Sequence, residues 1–178
     1  MKYLVVSDIH GSLFYANKIL ELINNEKVDK VILLGDLYYH GPRNPLPIEY
    51  NPKEVSNLLN SIKDKIICIK GNCDAEVDEM ISEFEFKQYV LLNINNMKFM
   101  FTHGHKYNIE NKVDNVDVLI YGHFHTGFIK KEDGVIYVNA GSITLPKNGT
   151  KNSYLVIDEN YIYLKDLENN IIDSIRFY

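Results

Sequence analysis

The sequence predicts an α/β fold built on two packed mixed β-sheets, and three observations predict it. Short apolar runs alternate with helical stripes in the first half. Strand-like runs separated by turn dipeptides fill the second half, and no linker or low-complexity stretch divides the halves. An amphipathic helix has to cover an apolar sheet face, so the expected arrangement is one core between two stacked sheets with helices outside. With 178 residues, 46% of them hydrophobic, a single domain over residues 1–178 is expected.

Residues 3–6 are wholly apolar, as suits a strand buried on both faces, and they lead into Ser7-Asp8-Ile9-His10-Gly11, where the glycine permits a sharp turn. From Ser12, the residues Leu13, Ala16, Ile19, Leu20 and Ile23 form one helical stripe, with Asn24-Asn25 as its expected stop. The second apolar run, residues 30–34, closes on Gly35-Asp36. Parallel strand–helix–strand geometry brings Asp8 and Asp36 to one sheet edge. Pro42, Pro45, Pro47 and Pro52 make residues 37–52 a long ordered loop, of the kind that holds substrates at strand ends.

Helix formers resume at Lys53, with Val55, Leu58, Leu59 and Ile62 on the buried side. A third strand over residues 66–69 closes on Gly71-Asn72-Cys73-Asp74, and Cys68 within it reads as a small buried hydrophobe. Residues 75–86 are expected to start as a helix packed through Val77, Met80, Ile81 and Phe84. Asp74 is expected to cap that helix or to orient a neighbour.

The pattern then turns to strands. Residues 88–94 and 98–102 flank Asn95-Asn96 as a tight hairpin, ending in Thr102-His103-Gly104-His105. Residues 116–121 end in Gly122-His123-Phe124-His125. A second hairpin turns at Asp133-Gly134, Asn139-Ala140-Gly141-Ser142 makes a tight turn, and three further strands are expected over 154–157, 161–167 and 171–177. The alternating Tyr161 and Tyr163 suit a packed sheet face better than base stacking.

Composition removes several function classes. No apolar run is long enough to cross a bilayer, and the first residues lack a signal-peptide pattern, so no membrane association and a cytoplasmic location are expected. Two cysteines separated by five residues make neither a disulfide framework nor a zinc or redox module. A formal net charge of −5, with scattered lysines, argues against nucleic acid as a partner.

Seven oxygen or nitrogen donors stand at strand ends: Asp8, His10, Asp36, Asn72, His103, His123 and His125. Carboxylate, amide oxygen and imidazole together suit divalent ions such as manganese, iron or zinc better than magnesium. Seven donors exceed the need of one tetrahedral ion, so two ions sharing a carboxylate is the economical reading, with Asp36 as the shared ligand.

The blocks Asp8-x-His10, Gly35-Asp36, Gly71-Asn72-Cys73-Asp74, His103-Gly104 and Gly122-His123-Phe124-His125 resemble, in order and spacing, the signature of the calcineurin-like metallophosphoesterases. Cys73, the run from Gly35-Asp36 to His40-Gly41-Pro42-Arg43, and Asn139-Ala140-Gly141-Ser142 are similar to the small bacterial phosphodiesterases of the YfcE type. The resemblance implies a four-layer α/β/β/α sandwich, and a first ion held by Asp8, His10, Asp36 and His125. It implies a second held by Asp36, Asn72, His103 and His123, with Asp36, Asn72 and His103 at the centre of catalysis. The cofactors implied are two divalent ions, manganese first, with zinc, iron or nickel as alternatives. Two such ions make a shared water nucleophilic near neutral pH and neutralise charge building on phosphorus.

The substrate implied is a small-molecule phosphoester, and a phosphodiester is favoured. Many relatives of this kind carry a histidine where this chain has Cys73, and a neutral thiol is a poor proton donor, which favours good leaving groups. Cys73 itself reads as a bystander, a substrate-side contact or a nucleophile. His40 and Arg43, on the long loop after Asp36, are further substrate-side candidates, since guanidinium matches phosphate bidentately. His105 reads as a positioning partner of the ligands or as a loop residue. The rival readings are a phosphomonoesterase or nucleotide pyrophosphatase on the same site, and a non-catalytic protein-interaction scaffold on the same fold. A homodimer or higher homo-oligomer is expected from the aromatic-rich tail.

Overall fold

A computed structural model describes residues 1–178. The first strand, β1 (Tyr3–Val6), is buried along its whole length. Helix α1 (Leu13–Glu26) begins at Ser12, whose hydroxyl accepts the Tyr15 amide, and runs past Asn24-Asn25 to a left-handed Lys27. There follow β2 (Lys30–Leu33), α2 (Pro52–Asn60) with Asn51 capping the Glu54 amide, a 3₁₀ turn over Lys63–Lys65, and β3 (Ile66–Ile69). Next come α3 (Glu76–Ile81), β4 (Phe86–Lys87), β5 (Val90–Ile94), β6 (Met97–Phe101) and β7 (Val118–Tyr121). The chain closes with β8 (Phe128–Glu132), β9 (Val135–Asn139), β10 (Ser153–Ile157), β11 (Tyr161–Asp166) and β12 (Ile171–Arg176). No helix is long and apolar enough to cross a membrane.

The strands form two mixed sheets. One has the order β12-β11-β10-β1-β2-β3-β4, parallel from β1 to β4 and antiparallel from β1 outward to β12; the other has the order β5-β6-β7-β9-β8, with β6, β7 and β9 parallel. Val5, Ile32, Phe99, Phe101, Val118 and Leu155 belong to the apolar layer between them. Leu4, Val6, Ala16, Ile19, Val55 and Leu59 fill the layer beneath α1 and α2. Both hairpins turn where expected, on left-handed pairs Asn95-Asn96 and Asp133-Gly134.

Three features depart from the sequence reading or go beyond it in detail. The outer face of the second sheet is covered by the coil between β6 and β7, whose Ile109, Val113 and Val116 pack on Met100, Leu119 and Tyr137, so that layer is coil where a helix was expected. Strands β10 to β12 return to the first sheet, with Tyr3 opposite Ile157, instead of extending the sheet of the preceding hairpin. In α3, Val77, Met80 and Ile81 are exposed, contrary to the apolar stripe expected there. The helix is only six residues long and is anchored by polar contacts: the Asp78 carboxylate accepts the Ala75 amide at 2.8 Å, and the Ser82 hydroxyl lies 2.6 Å from that of Tyr38. Only Phe84 of the expected set packs inward, stacked on Phe86.

Parallel pairing of β1, β2 and β3 sets their carboxyl ends side by side, and the turns there leave little space. A Cβ on Gly71 would lie 2.1 Å from Asp36 Oδ1 and 2.4 Å from the Asp36 nitrogen. Gly71→Ala is therefore expected to lower unfolding stability by about 3 kcal/mol, the upper end of overpacking costs, measured by urea denaturation of the metal-free protein.

Candidate metal centre at the strand ends

The turn after β1 is sewn to the loop after β2. The amides of Asp8, His10 and Gly11 donate to the carbonyls of Gly35, Asp36 and Leu37 at 3.1, 2.9 and 2.9 Å. From below, the Ser142 hydroxyl donates to the Asp8 carbonyl and the Thr144 hydroxyl to that of Ile9, both at 2.9 Å. Asn139 donates to the Gly122 carbonyl at 2.8 Å, so the tight turn seen in the sequence braces two of the donor-bearing turns at once. Asp74 ties the other pair of loops together. Its buried carboxylate accepts the amides of Asp36, Leu37 and Gly71 at 2.9, 2.8 and 2.7 Å, which makes it the orienting residue rather than the helix cap.

Five of the seven strand-end donors, Asp8, His10, Asp36, His123 and His125, have φ between 51° and 64°. Left-handed backbone at residues other than glycine costs on the order of 1 kcal/mol apiece, and it turns side chains that would otherwise splay along a strand end toward one point. Asp8, His10 and His125 offer ligand atoms within 4.8 Å of one another, and so do Asp36, His103 and His123. Asp36 belongs to both neighbourhoods, with Oδ2 3.8 Å from His10 Nε2 and Oδ1 3.4 Å from His103 Nε2. Asn72 completes the second group, its Oδ1 lying 3.0 Å from His103 Nε2.

The tautomers of three histidines follow from the backbone. Nδ1 of His10, His103 and His125 lies 2.7, 2.7 and 2.6 Å from the carbonyls of Tyr39, Leu34 and Leu145, so each Nδ1–H donates outward and each Nε2 faces inward. As a result His10 Nε2 and His125 Nε2 stand 3.3 Å apart with lone pairs facing each other. Asp8 Oδ1 is buried beside them and accepts no hydrogen bond, while Oδ2 accepts from the Ser7 hydroxyl and the His123 amide at 2.6 and 3.0 Å. An orphaned carboxylate oxygen among inward-facing imidazole nitrogens is an electron-pair-rich pocket lacking positive charge, and divalent cations fit it.

The electrostatics of the metal-free site agree with that. Burial pushes Asp36 up, but His103 and the Cys73 amide outweigh it and hold the carboxyl well below the usual range. Burial alone would keep His103 neutral, yet Asp36 and Asp8 lift it to about 9. Burial and the charge on His103 lower His123 to about 4.

A cavity of about 400 Å³ opens over these groups. Cys73 and Arg43 line it, as the sequence reading placed them; His40 does not, its ring packing edge-on against Tyr39 and Tyr50. His105 is exposed and lies outside the lining, 5.4 Å ring to ring from His103. Burial and Asp36 push the Cys73 thiol up to about 12, which favours the neutral thiol over the thiolate. Tyr39, Asn44 and Lys147 also line the cavity and were not singled out from the sequence. Tyr39 and Asn44 could have been found as neighbours of His40 and Arg43 in one loop, whereas Lys147 carries no local signal.

Three comparisons with known proteins bear on this geometry. Residues 1–161 match the family model described as the calcineurin-like phosphoesterase superfamily domain. The phosphodiesterase YfcE of Escherichia coli K12 is 37% identical over 177 residues, covering 97% of this chain and 95% of the relative. A solved structure of the E. coli phosphoesterase YfcE superposes with a TM-score of 0.97 at 34% identity and full coverage of both chains. Zinc-bound Vps29 of Entamoeba histolytica shares the fold alone, with a TM-score of 0.63 at 21% identity and full coverage of both chains.

Removing the brace beneath the site tests the local account. Asp74→Ala leaves three buried N–H groups without an acceptor and is expected to cost about 3 kcal/mol of unfolding stability in the metal-free protein, read by urea denaturation.

Proposed function

The chain belongs to the calcineurin-like phosphoesterase superfamily, and from that premise we propose that it is a phosphodiesterase acting on a small phosphoester through two divalent ions. The observation that carries this reading is the orphaned Asp8 Oδ1 beside two inward-facing imidazole nitrogens, with a second donor group sharing Asp36. Asp8, His10, Asp36 and His125 would hold one ion; Asp36, Asn72, His103 and His123 would hold the other. Divalent ions bound there supply Lewis acidity toward the phosphate oxygens and acidify the attacking water. Manganese suits the mixed oxygen and nitrogen donors, with zinc, iron or nickel as alternatives.

The chain's own residues do the rest. Backbone carbonyls of Tyr39, Leu34 and Leu145 hold three imidazoles in the tautomer that presents Nε2. Asp74 fixes the loop that carries Asp36. Asn72 lines the cavity, where it would face the substrate as well as an ion, and His103, fully buried and outside the lining, would act as a ligand to that ion. Cys73 lines the cavity as a neutral thiol and offers no proton donor matched to neutral pH, so the leaving group departs without help from that position. This supports esters with good leaving groups, and aryl diesters above alkyl monoesters. The fold and size of the cavity also suit the residues 1–178 acting as one domain around one site.

Three measurements test the proposal. Metal-free protein reconstituted with manganese should hydrolyse a generic aryl phosphodiester, and Asp36→Asn should lower that rate on the order of 100-fold or more, since even residues that only orient ligands cost up to about that much. No hydrolysis with any of the four metals would favour the scaffold reading. Metal loading must displace the extra proton of His103, so apparent manganese affinity by calorimetry is expected to rise with pH below about 9, by roughly tenfold per unit for one proton. A flat profile from pH 6.5 to about 8.5 would show that metal binding displaces no proton from His103. Cys73→His is expected to raise turnover of alkyl esters relative to matched aryl esters, because an imidazole can protonate a poor leaving group; an unchanged leaving-group dependence contradicts the role given to the thiol.

A further inference from the structure

Two cations line the cavity beyond what the proposed chemistry uses. Arg43 comes from the loop after β2 and Lys147 from the loop between β9 and β10, so they approach from separate parts of the chain. Every lysine or arginine ion pair in the molecule involves other residues, which leaves both side chains without a carboxylate partner. Unpaired surface lysines are common, but Lys147 is unusual in how its backbone is held. Its amide donates to the His125 carbonyl at 2.9 Å, and its carbonyl accepts the Thr150 amide and hydroxyl at 3.0 and 2.8 Å. Two residues earlier, the Leu145 carbonyl is the acceptor for His125 Nδ1 at 2.6 Å. Left-handed Asn148 and Gly149 close the turn, and Asn148 is tied to the Thr126 hydroxyl at 3.0 Å. The same turn therefore orients a candidate ligand histidine and places Lys147 on the cavity wall.

Charge balance suggests what that ammonium group serves. Two divalent ions set against the carboxylates of Asp8 and Asp36 leave a surplus of about two positive charges, which a singly charged phosphodiester and an anionic nucleophile already match. Arg43 and Lys147 are additional to that balance. A cavity of about 400 Å³ leaves room beside the phosphoester for a compact substituent. Resting on the phosphodiesterase reading above, we propose that Lys147, with Arg43, is a specificity residue that binds a second acidic group carried by the substrate next to the scissile phosphoester. The substrate class is then a small phosphodiester bearing a carboxylate or a further phosphate, and the protein discriminates against neutral substituents of the same size.

The test uses two near-isosteric, uncleavable compounds that carry one charge at phosphorus as a diester does, methyl(2-carboxyethyl)phosphinate and methyl(3-methylbutyl)phosphinate, titrated calorimetrically into manganese-loaded protein. The parent is expected to bind the carboxylated compound about tenfold more tightly, a ratio that falls to about one in Lys147→Met and is retained in Lys147→Arg. The ratio should also shrink with added salt, which loss of folding does not mimic. A parent that does not discriminate, or a ratio unchanged by Lys147→Met, overturns the proposal; equal weakening of both compounds does so too, because it places Lys147 on the scissile phosphate. Aryl phosphodiester hydrolysis by the same parent sample separates the two levels. Discrimination without hydrolysis leaves the acidic subsite standing and removes the phosphodiesterase reading, and hydrolysis without discrimination does the reverse.

Discussion

Electron-pair donors packed against one another are the constraint on which the rest of this molecule depends. His10 Nε2 and His125 Nε2 face each other at 3.3 Å, with Asp8 Oδ1 buried and unpaired beside them. Left to themselves such groups repel or take up protons. They stay together because each is fixed from outside: imidazole Nδ1 atoms by carbonyls, Asp8 by Ser7 and the His123 amide, and the Asp36 loop by Asp74. The two-sheet core makes that fixing affordable, since the wholly buried β1 and β7 end in the turns that carry four of the donors.

What the sequence revealed of the fold is what local chemistry determines. The two hairpin turns needed left-handed pairs, and Asn95-Asn96 and Asp133-Gly134 announce them. Wholly apolar runs marked strands buried on both faces, and β1, β2 and β3 stand where those runs stood. Partner choice between distant strands is a different matter: nothing in residues 153–157 says that they pair with residues 3–5 instead of the nearby hairpin. The apolar spacing of Val77, Met80 and Ile81 misled for a related reason. In so short a helix, the buried side is decided by Asp78 and by the Ser82–Tyr38 contact rather than by a stripe.

The site was legible to a greater degree, because donor residues following glycine at successive strand ends form a pattern that survives without coordinates. The structure brings all seven of those donors together. The bracing around them was less visible. Asp74 could be read as a cap or an orienting residue, and only the three amides meeting its carboxylate decide between the two. Left-handed backbone at Asp8, His10, Asp36, His123 and His125 leaves no mark beyond the residue types that tolerate it. Lys147 was invisible because a single lysine in a polar loop has no periodicity, and its meaning arises only from the turn that also holds His125.

The arrangement of strain bears on whether this fold acts as a catalyst or a scaffold. A scaffold needs the sheets and the helices over them, and both would persist if the strand ends relaxed into ordinary turns. Instead five left-handed residues and an unpaired buried oxygen are concentrated at one sheet edge, each of them unfavourable in the chain by itself. Unfavourable terms that converge on one point are offset there only by something that binds at that point. Cations held there would relieve the repulsion among the donors, and a phosphoester in the cavity would then meet the positive charge of those cations and of Arg43 and Lys147.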